Sequence, residues 1–233
     1  MQSNEKNKWT SGNAFRRNEG TQFPPSYPNE TLVKICSSKA YSNLTDNLFN
    51  NSIKVCELGS FSGNNSRFFI EKGYEVHCVE INDNMLNLGR DNLARLGYHI
   101  HDVSFKKGDN LNIPYKDNIF DLFVTINTLH YNYGQDIEKA IKEYSRVIKK
   151  NGIAIIETVA KKHTAYKLAK KVDTLDYIWG LGDFRDGQHF GFFDSEEHFK
   201  TLLKKFFSKV EILYRHEKTE KTELAWNIAI CKV

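Results

Sequence analysis

No stretch of this 233-residue chain approaches the roughly 20 consecutive apolar residues that a bilayer-spanning helix needs, so no membrane partner is expected. The opening residues, MQSNEKNKWTSGN, are polar and lack the apolar segment of a signal peptide. The four cysteines, Cys36, Cys56, Cys78 and Cys231, contain no Cys-x-x-Cys pair, which removes the spacing of a zinc knuckle, and no metal is expected. Cys56 and Cys78 fall in apolar runs and read as buried thiols, a pattern suited to a reducing compartment, so a cytoplasmic location is the expectation. Charge of neither sign dominates: 33 Lys and Arg against 29 Asp and Glu leave a formal +4, too dispersed to announce a nucleic-acid partner. The densest basic run, Lys161 to Lys171, carries Ala165, Leu168, Ala169 and Val172 at helical spacing and reads as a solvated helix face.

What is present is an alternation of short apolar strands with amphipathic helices. Strands are expected at Ile53–Leu58, Glu75–Glu80, Val103–Lys107, Phe120–Ile126 and Ile153–Val159. Helices are expected at Asn64–Lys72, ended by Gly73, at Asp83–Leu96 with Asp83 as N-cap, and at Ile137–Lys149, closed by Asn151-Gly152. Continuous apolar strands separated by helices imply a mostly parallel sheet covered on both faces. Two last strands, Val210–Tyr214 and Ala225–Cys231, flank a polar turn and read as an antiparallel hairpin. The expectation is a Rossmann-like α/β three-layer sandwich with a seven-stranded sheet. Residues 1–52 form an N-terminal arm with a first helix, Glu30–Ser42; residues 53–233 form the domain; residues 160–209 are an aromatic-rich insertion within it.

In such sheets ligands bind beyond the carboxyl ends of the strands, where the winding reverses. Four places there are marked. After the first strand stands Glu57-Leu-Gly-Ser-Phe-Ser-Gly63, whose Gly59 and Gly63 permit a tight turn and close backbone approach. Phe61 occupies the middle position of a dinucleotide fingerprint, and Gly63 is followed by Asn64-Asn65 rather than the Lys-Ser/Thr of a P-loop, so both those readings lose ground. Glu80 ends the second strand, about twenty residues past the glycine turn, where a carboxylate can accept both hydroxyls of a ribose. Gly108-Asp109-Asn110-Leu111 follows the third strand; Asp109 can meet an adenine amino group or serve as a turn residue. Asn127-Thr128-Leu129-His130-Tyr131 follows the fourth.

In that order, the four segments resemble class I S-adenosylmethionine-dependent methyltransferases, from Ile53 to Val159 and again in the tail hairpin. VCELGSFSGNNSRFF is similar to that family's glycine motif, CVEINDNML to its ribose motif, GDNLNIPYKDNIFDLFV to its adenine segment and fourth strand, and VIKKNGIAIIE to the turn into strand five. The resemblance implies S-adenosyl-L-methionine as cofactor and S-adenosyl-L-homocysteine as product. It implies that Glu57, Gly59, Ser60 and Gly63 surround the methionine part. Glu80 would then hold the ribose, with Ile81 against the adenosine; Asp109, Asn110 and Leu111 would meet the adenine, and Asn127 would close over the sulfonium end. Phe61 departs from the family's middle glycine, which keeps a non-catalytic binding or scaffold module in view.

The expected partner is a small-molecule methyl acceptor, methylated on an oxygen of an anionic metabolite or sugar derivative, with a small amine as the alternative. Base methylation in nucleic acid is disfavoured because Asn127-Thr-Leu-His130 replaces the Asn/Asp-Pro-Pro-aromatic motif. His130, then His189, are the candidate general bases. Tyr27, Arg16, Tyr131, Trp179 and Arg185 are the candidate acceptor contacts, and Arg16, Arg17 and Arg185 would suit a phosphate or carboxylate.

Overall fold

The computed structural model describes residues 26–45, 48, 53–182 and 185–233. Its main sheet contains β1 (Lys54–Leu58), β2 (Glu75–Glu80), β3 (Val103–Lys107), β4 (Phe120–Ile126), β5 (Ile148–Val159), β9 (Lys209–Lys218) and β10 (Glu223–Lys232). The spatial order is β3-β2-β1-β4-β5-β10-β9, with β1 to β5 parallel and β10 antiparallel to both β5 and β9. This is the seven-stranded Rossmann-like sandwich with a closing hairpin that the alternation implied. The chain grows outward from β1 through β2 and β3, then returns to place β4 on β1's other side. That reversal opens a crevice at the carboxyl ends of β1 and β4.

Alternation along each strand feeds two cores. On one face Val55, Cys78, Val124, Ile155 and Ile228 pack under Leu32 and Ile35 of α1 (Glu30–Ile35) and Phe68 and Phe69 of α2 (Asn64–Glu71). On the other, Cys56, Phe123, Ile156 and Ala229 pack under Ile141 and Tyr144 of α4 (Ile137–Val147) and Phe199 and Leu203 of α6 (Glu196–Leu203). The remaining helix of the sandwich, α3 (Asp83–Arg95), is bounded by Gly97 at φ 88°.

Several local expectations are corrected. The first helix stops at Ile35, one turn and a half after its cap Asn29, whose side chain accepts the Leu32 N–H. The cap of α3 is Asn82, not Asp83: its Oδ1 accepts the Met85 N–H at 2.9 Å, while Asp83 is already inside the helix. Asn151-Gly152 does not close α4. The helix ends at Val147, and β5 begins at once because Ile148 is buried opposite Phe120; the register then shifts, with Asn151 at φ 67°. The lysine run is not one helix face. Only α5 (Thr164–Leu168) is helical, and Lys170–Lys171 start β6 of a small antiparallel sheet with β7 (Asp176–Ile178) and β8 (His189–Gly191).

That small sheet carries the insertion's aromatic content inward. Tyr177, Trp179, Phe190 and Phe192 are buried against Val159 and Ala165 and roof the end of β5. No helix among the described residues is long and apolar enough to cross a membrane.

The cap reassignment predicts that Asn82→Ala lowers unfolding stability by about 0.5–2 kcal/mol, whereas Asp83→Ala, which removes an exposed ion pair to Lys107, changes it by no more than about 0.5 kcal/mol. Urea denaturation of the two variants side by side checks the order.

Candidate cofactor and acceptor site

The loop between β1 and α2 is left-handed at three alternate positions: Gly59 at φ 77°, Phe61 at 47° and Gly63 at 72°. Two are glycines, for which this conformation is free. The third is not, and a non-glycine residue there costs roughly 1–2 kcal/mol. Phe61 therefore adopts a backbone for which glycine is the usual residue. Its N–H donates to Glu80 Oε1 at 3.1 Å, while the Ile81 N–H donates to Glu80 Oε2 at 2.8 Å. Burial pushes the Glu80 carboxyl up; the two amides pull it down.

Helix α3 presses on the same loop. A Cβ on Gly89 would stand 2.8 Å from the Phe61 carbonyl, and one on Gly63 would stand 3.0 Å from Leu93. Asn92 Nδ2 donates to the Ser62 carbonyl at 2.7 Å. Across the crevice, Thr128 Oγ1 fills the space a Cβ on Gly59 would need. Ser60 is buried at this turn, and Gly59 N–H donates to the Val79 carbonyl at 2.9 Å.

Glu57 is buried at the end of β1. It accepts from Asn65 Nδ2 at 2.9 Å and from the Ser66 hydroxyl. Burial outweighs those bonds and pushes its carboxyl up to about 7. Of the adenine segment, Asp109 is held in a turn: Leu111 N–H donates to its Oδ1 at 2.8 Å, and Asp109 and Asn112 form a two-way bridge. Asn110 is buried and takes the Tyr144 hydroxyl, so it fixes the segment to the core, while Leu111 stays 38% exposed. Asn127 sits at φ 54°, its N–H on the Glu157 carbonyl at 3.2 Å, which turns the chain away from the sheet at the crevice.

Three of the expected acceptor contacts come together. Arg185 lies over Trp179 at 4.0 Å and donates to the Tyr131 hydroxyl at 3.4 Å. Tyr27 does not join them: it is 77% exposed, beside Arg67 of α2. Arg16 and Arg17 lie outside the described residues. His130 is buried among Tyr131, Phe190 and Phe192. Burial, then His163 and Arg185, push its imidazole down to about 3, so it is neutral. His189 is on the other side of the small sheet from Phe190. Its Nδ1 is 2.6 Å from Asp176 Oδ2, and Asp176 Oδ1 accepts the Gly134 N–H, so the pair staples β7 and β8 to the segment after β4. The two histidines are not brought into one constellation.

The sequence reading missed a second group. Asn29 donates its N–H to Asn65 Oδ1 at 2.8 Å and its Nδ2 to Glu157 Oε2 at 3.5 Å. Arg215 stands 3.4 Å from the same oxygen and lies over Trp226 at 3.9 Å. Trp226 meets His163, which caps α5 rather than lying on a helix surface. A glutamate in the apolar run Ile153–Val159 was a visible signal; Asn29 and Arg215 had none, because only the fold brings them there. Among the described residues no group of three or more His, Cys, Asp and Glu could hold a metal.

Set beside known proteins, residues 56–156 match the family model described as a methyltransferase domain. The matched segment runs from β1 into β5 and covers less than half of the chain. The glycine loop and Glu80 set a close-approach turn on one side and a buried carboxylate held by two amides on the other. The chain is 32% identical over 103 residues to a ubiquinone/menaquinone biosynthesis C-methyltransferase of Haemophilus ducreyi, a match covering 44% of this chain and 38% of that one. It is 28% identical over 145 residues to a demethylmenaquinone methyltransferase of Desulfitobacterium hafniense, covering 62% and 48%. The match thus spans less than half the length of either relative. A protein of Pyrococcus horikoshii superposes at TM-score 0.61 with 19% identity, covering 91% of this chain and 96% of its own. A methyltransferase of Methanosarcina mazei superposes at 0.59 with 17% identity, covering 78% and 93%. These two likenesses speak for the fold. The methyltransferase family match stops at Ile156, so Glu157, His163, Arg185, Arg215 and Trp226 all lie beyond it.

Gly59→Ala is expected to destabilise the domain by more than the roughly 1–2 kcal/mol of a left-handed alanine, since Thr128 blocks the new methyl. Adding Thr128→Ala should restore the steric part and leave the torsional part. Urea midpoints of the two single variants and the double variant measure the coupling.

Proposed function

We propose that the protein binds S-adenosylmethionine in the crevice between the β1 loop and the end of β4, and transfers its methyl group to an oxygen of a small acceptor carrying an anionic group, a metabolite or sugar derivative. The observation that carries the cofactor half is the Glu80 carboxylate. It is buried, each oxygen is held by one backbone amide, and it stands beside a loop whose three left-handed residues bring the backbone close. Each oxygen keeps acceptor capacity for one hydroxyl of a vicinal pair, as on a ribose. Glu57 at the end of β1 and Asn65 at the start of α2 serve the amino-acid end, with Asp109 for the adenine amino group and Ile81 and Leu111 for its faces.

The cofactor supplies a methyl group on a sulfonium. The protein's own residues have to align the acceptor, keep water out and take any proton released. Tyr131 offers aromatic surface for a ring or sugar face, and Arg185 and Arg215, each stacked on an indole, offer positive charge for an anion. The relatives' names favour a second reading, methylation on a ring carbon, since those proteins are named as C-methyltransferases and demethylmenaquinone methyltransferases.

Calorimetric titration with S-adenosylhomocysteine tests the cofactor half. The ligand should bind, NAD should not, and Glu80→Ala should lose about 1.5–3 kcal/mol, the worth of hydrogen bonds to a charged group. Folded protein that binds neither ligand would overturn the proposal.

A further inference from the structure

Glu157 is a carboxylate that nothing above uses. Its β5 position pairs with Ile126, one residue before the turn at Asn127, and its side chain shares the sheet face of Glu57, with β4 between the two strands. The residue is 0% exposed, and its two oxygens are treated differently. Oε2 is held by Asn29 at 3.5 Å and by the Arg215 guanidinium at 3.4 Å. Oε1 is buried with no hydrogen-bond partner. Buried acceptors are nearly always satisfied, and one left open on an otherwise clamped carboxylate marks a place where a donor arrives with a ligand. The clamp itself reaches back to the cofactor loop, because Asn29 also holds Asn65, and Asn65 holds Glu57.

Resting on the proposed function, we propose that Glu157 is the catalytic base of this methyltransferase: its Oε1 accepts the proton of the acceptor's hydroxyl, with Arg215 and Asn29 fixing the carboxylate for that task. In the step, the acceptor oxygen forms a bond to the methyl carbon while the carbon–sulfur bond breaks and its electron pair stays on sulfur. The hydroxyl proton moves to Glu157 Oε1 and passes afterwards to water. Atoms and charge balance without another reactant.

The electrostatics agree. Burial raises the Glu157 carboxyl to about 7, Glu217 on β9 adds to the rise, and Arg215 and Asn29 oppose it. A base titrating near the working pH is well matched to proton transfer, whereas the His130 imidazole, held down to about 3, is a weak acceptor. Rate then depends on the ionised form of Glu157, so turnover rises as pH increases through about 7.

The experiment uses the full chain, labelled S-adenosylmethionine, and catechol, salicylate and glucuronate as hydroxyl probes, with S-adenosylhomocysteine binding measured on every variant. With a probe that is methylated, Glu157→Gln should lower kcat by about 10²–10⁴-fold, the usual worth of a positioned base. It should also erase the acid limb of the pH profile and leave S-adenosylhomocysteine affinity unchanged. Arg215→Gln keeps the base but removes the cation that lowers its pKa, so the limb should move to higher pH; a merely structural arginine would not move it. An unchanged limb and kcat in Glu157→Gln would overturn the assignment. So would a wild-type protein that binds S-adenosylhomocysteine yet methylates none of the three probes, and the cofactor reading would then survive. Folded protein that fails to bind S-adenosylhomocysteine would overturn both.

Discussion

The Glu80 carboxylate accepts one amide from the loop after β1 and one from the turn after β2, and so ties the two strand ends that form one wall of the crevice. A carboxylate buried to this degree is costly unless each oxygen is bonded, and here the bonds come from backbone. The backbone can supply them only if Phe61 sits in the left-handed region, which costs free energy of its own. The two amide bonds to Glu80 thus offset the cost of burying the carboxylate and part of the strain at Phe61. The remaining features of the cofactor half, including the close packing of Gly59 on Thr128 and of Gly63 on Leu93, follow from the path this loop is made to take.

A second polar system crosses the sheet at the same level. Glu57, Asn65, Asn29, Glu157 and Arg215 come from β1, α2, the cap of α1, β5 and β9, and each is bonded or ion-paired to the next. Buried polar groups of this kind fix geometry through low-dielectric hydrogen bonds more than they stabilise the fold. Asn29 is the pivotal member: it caps a helix of six residues and also joins Glu157 to Glu57 by way of Asn65.

The fold was legible in the sequence because continuous apolar runs such as Phe120–Ile126 have one stable solution, a parallel strand buried on both faces. The nearness of the glycine loop to Glu80 was legible because Gly59, Gly63 and Glu80 lie within two strand–turn–helix units, where spacing along the chain fixes spacing in space. Boundaries failed where tertiary packing overrode local signals. Asn151-Gly152 looked like a helix stop, yet burial of Ile148 against Phe120 carries the chain straight into β5. The acceptor half was only partly legible. Trp179, Arg185 and Tyr131 were expected and do converge, but Arg215 and Asn29 reach Glu157 only through strand pairing and a helix cap distant in the chain. His189 and Phe190 are adjacent in β8, and strand alternation puts them on opposite sides of the small sheet.

Helix α3 has the glycine loop's backbone against it at Gly89 and Asn92 and its side chains against it at Leu93, all on one face of the helix. The loop and this helix face therefore cannot vary separately. A chain that regained glycine in place of Phe61 would still need a glycine at position 89, because the obstruction there is a carbonyl and not a ring. Any redesign of the protein toward a different nucleoside or a bulkier sulfonium has to be carried out on two segments at once, thirty residues apart in the case of Ser62 and Asn92.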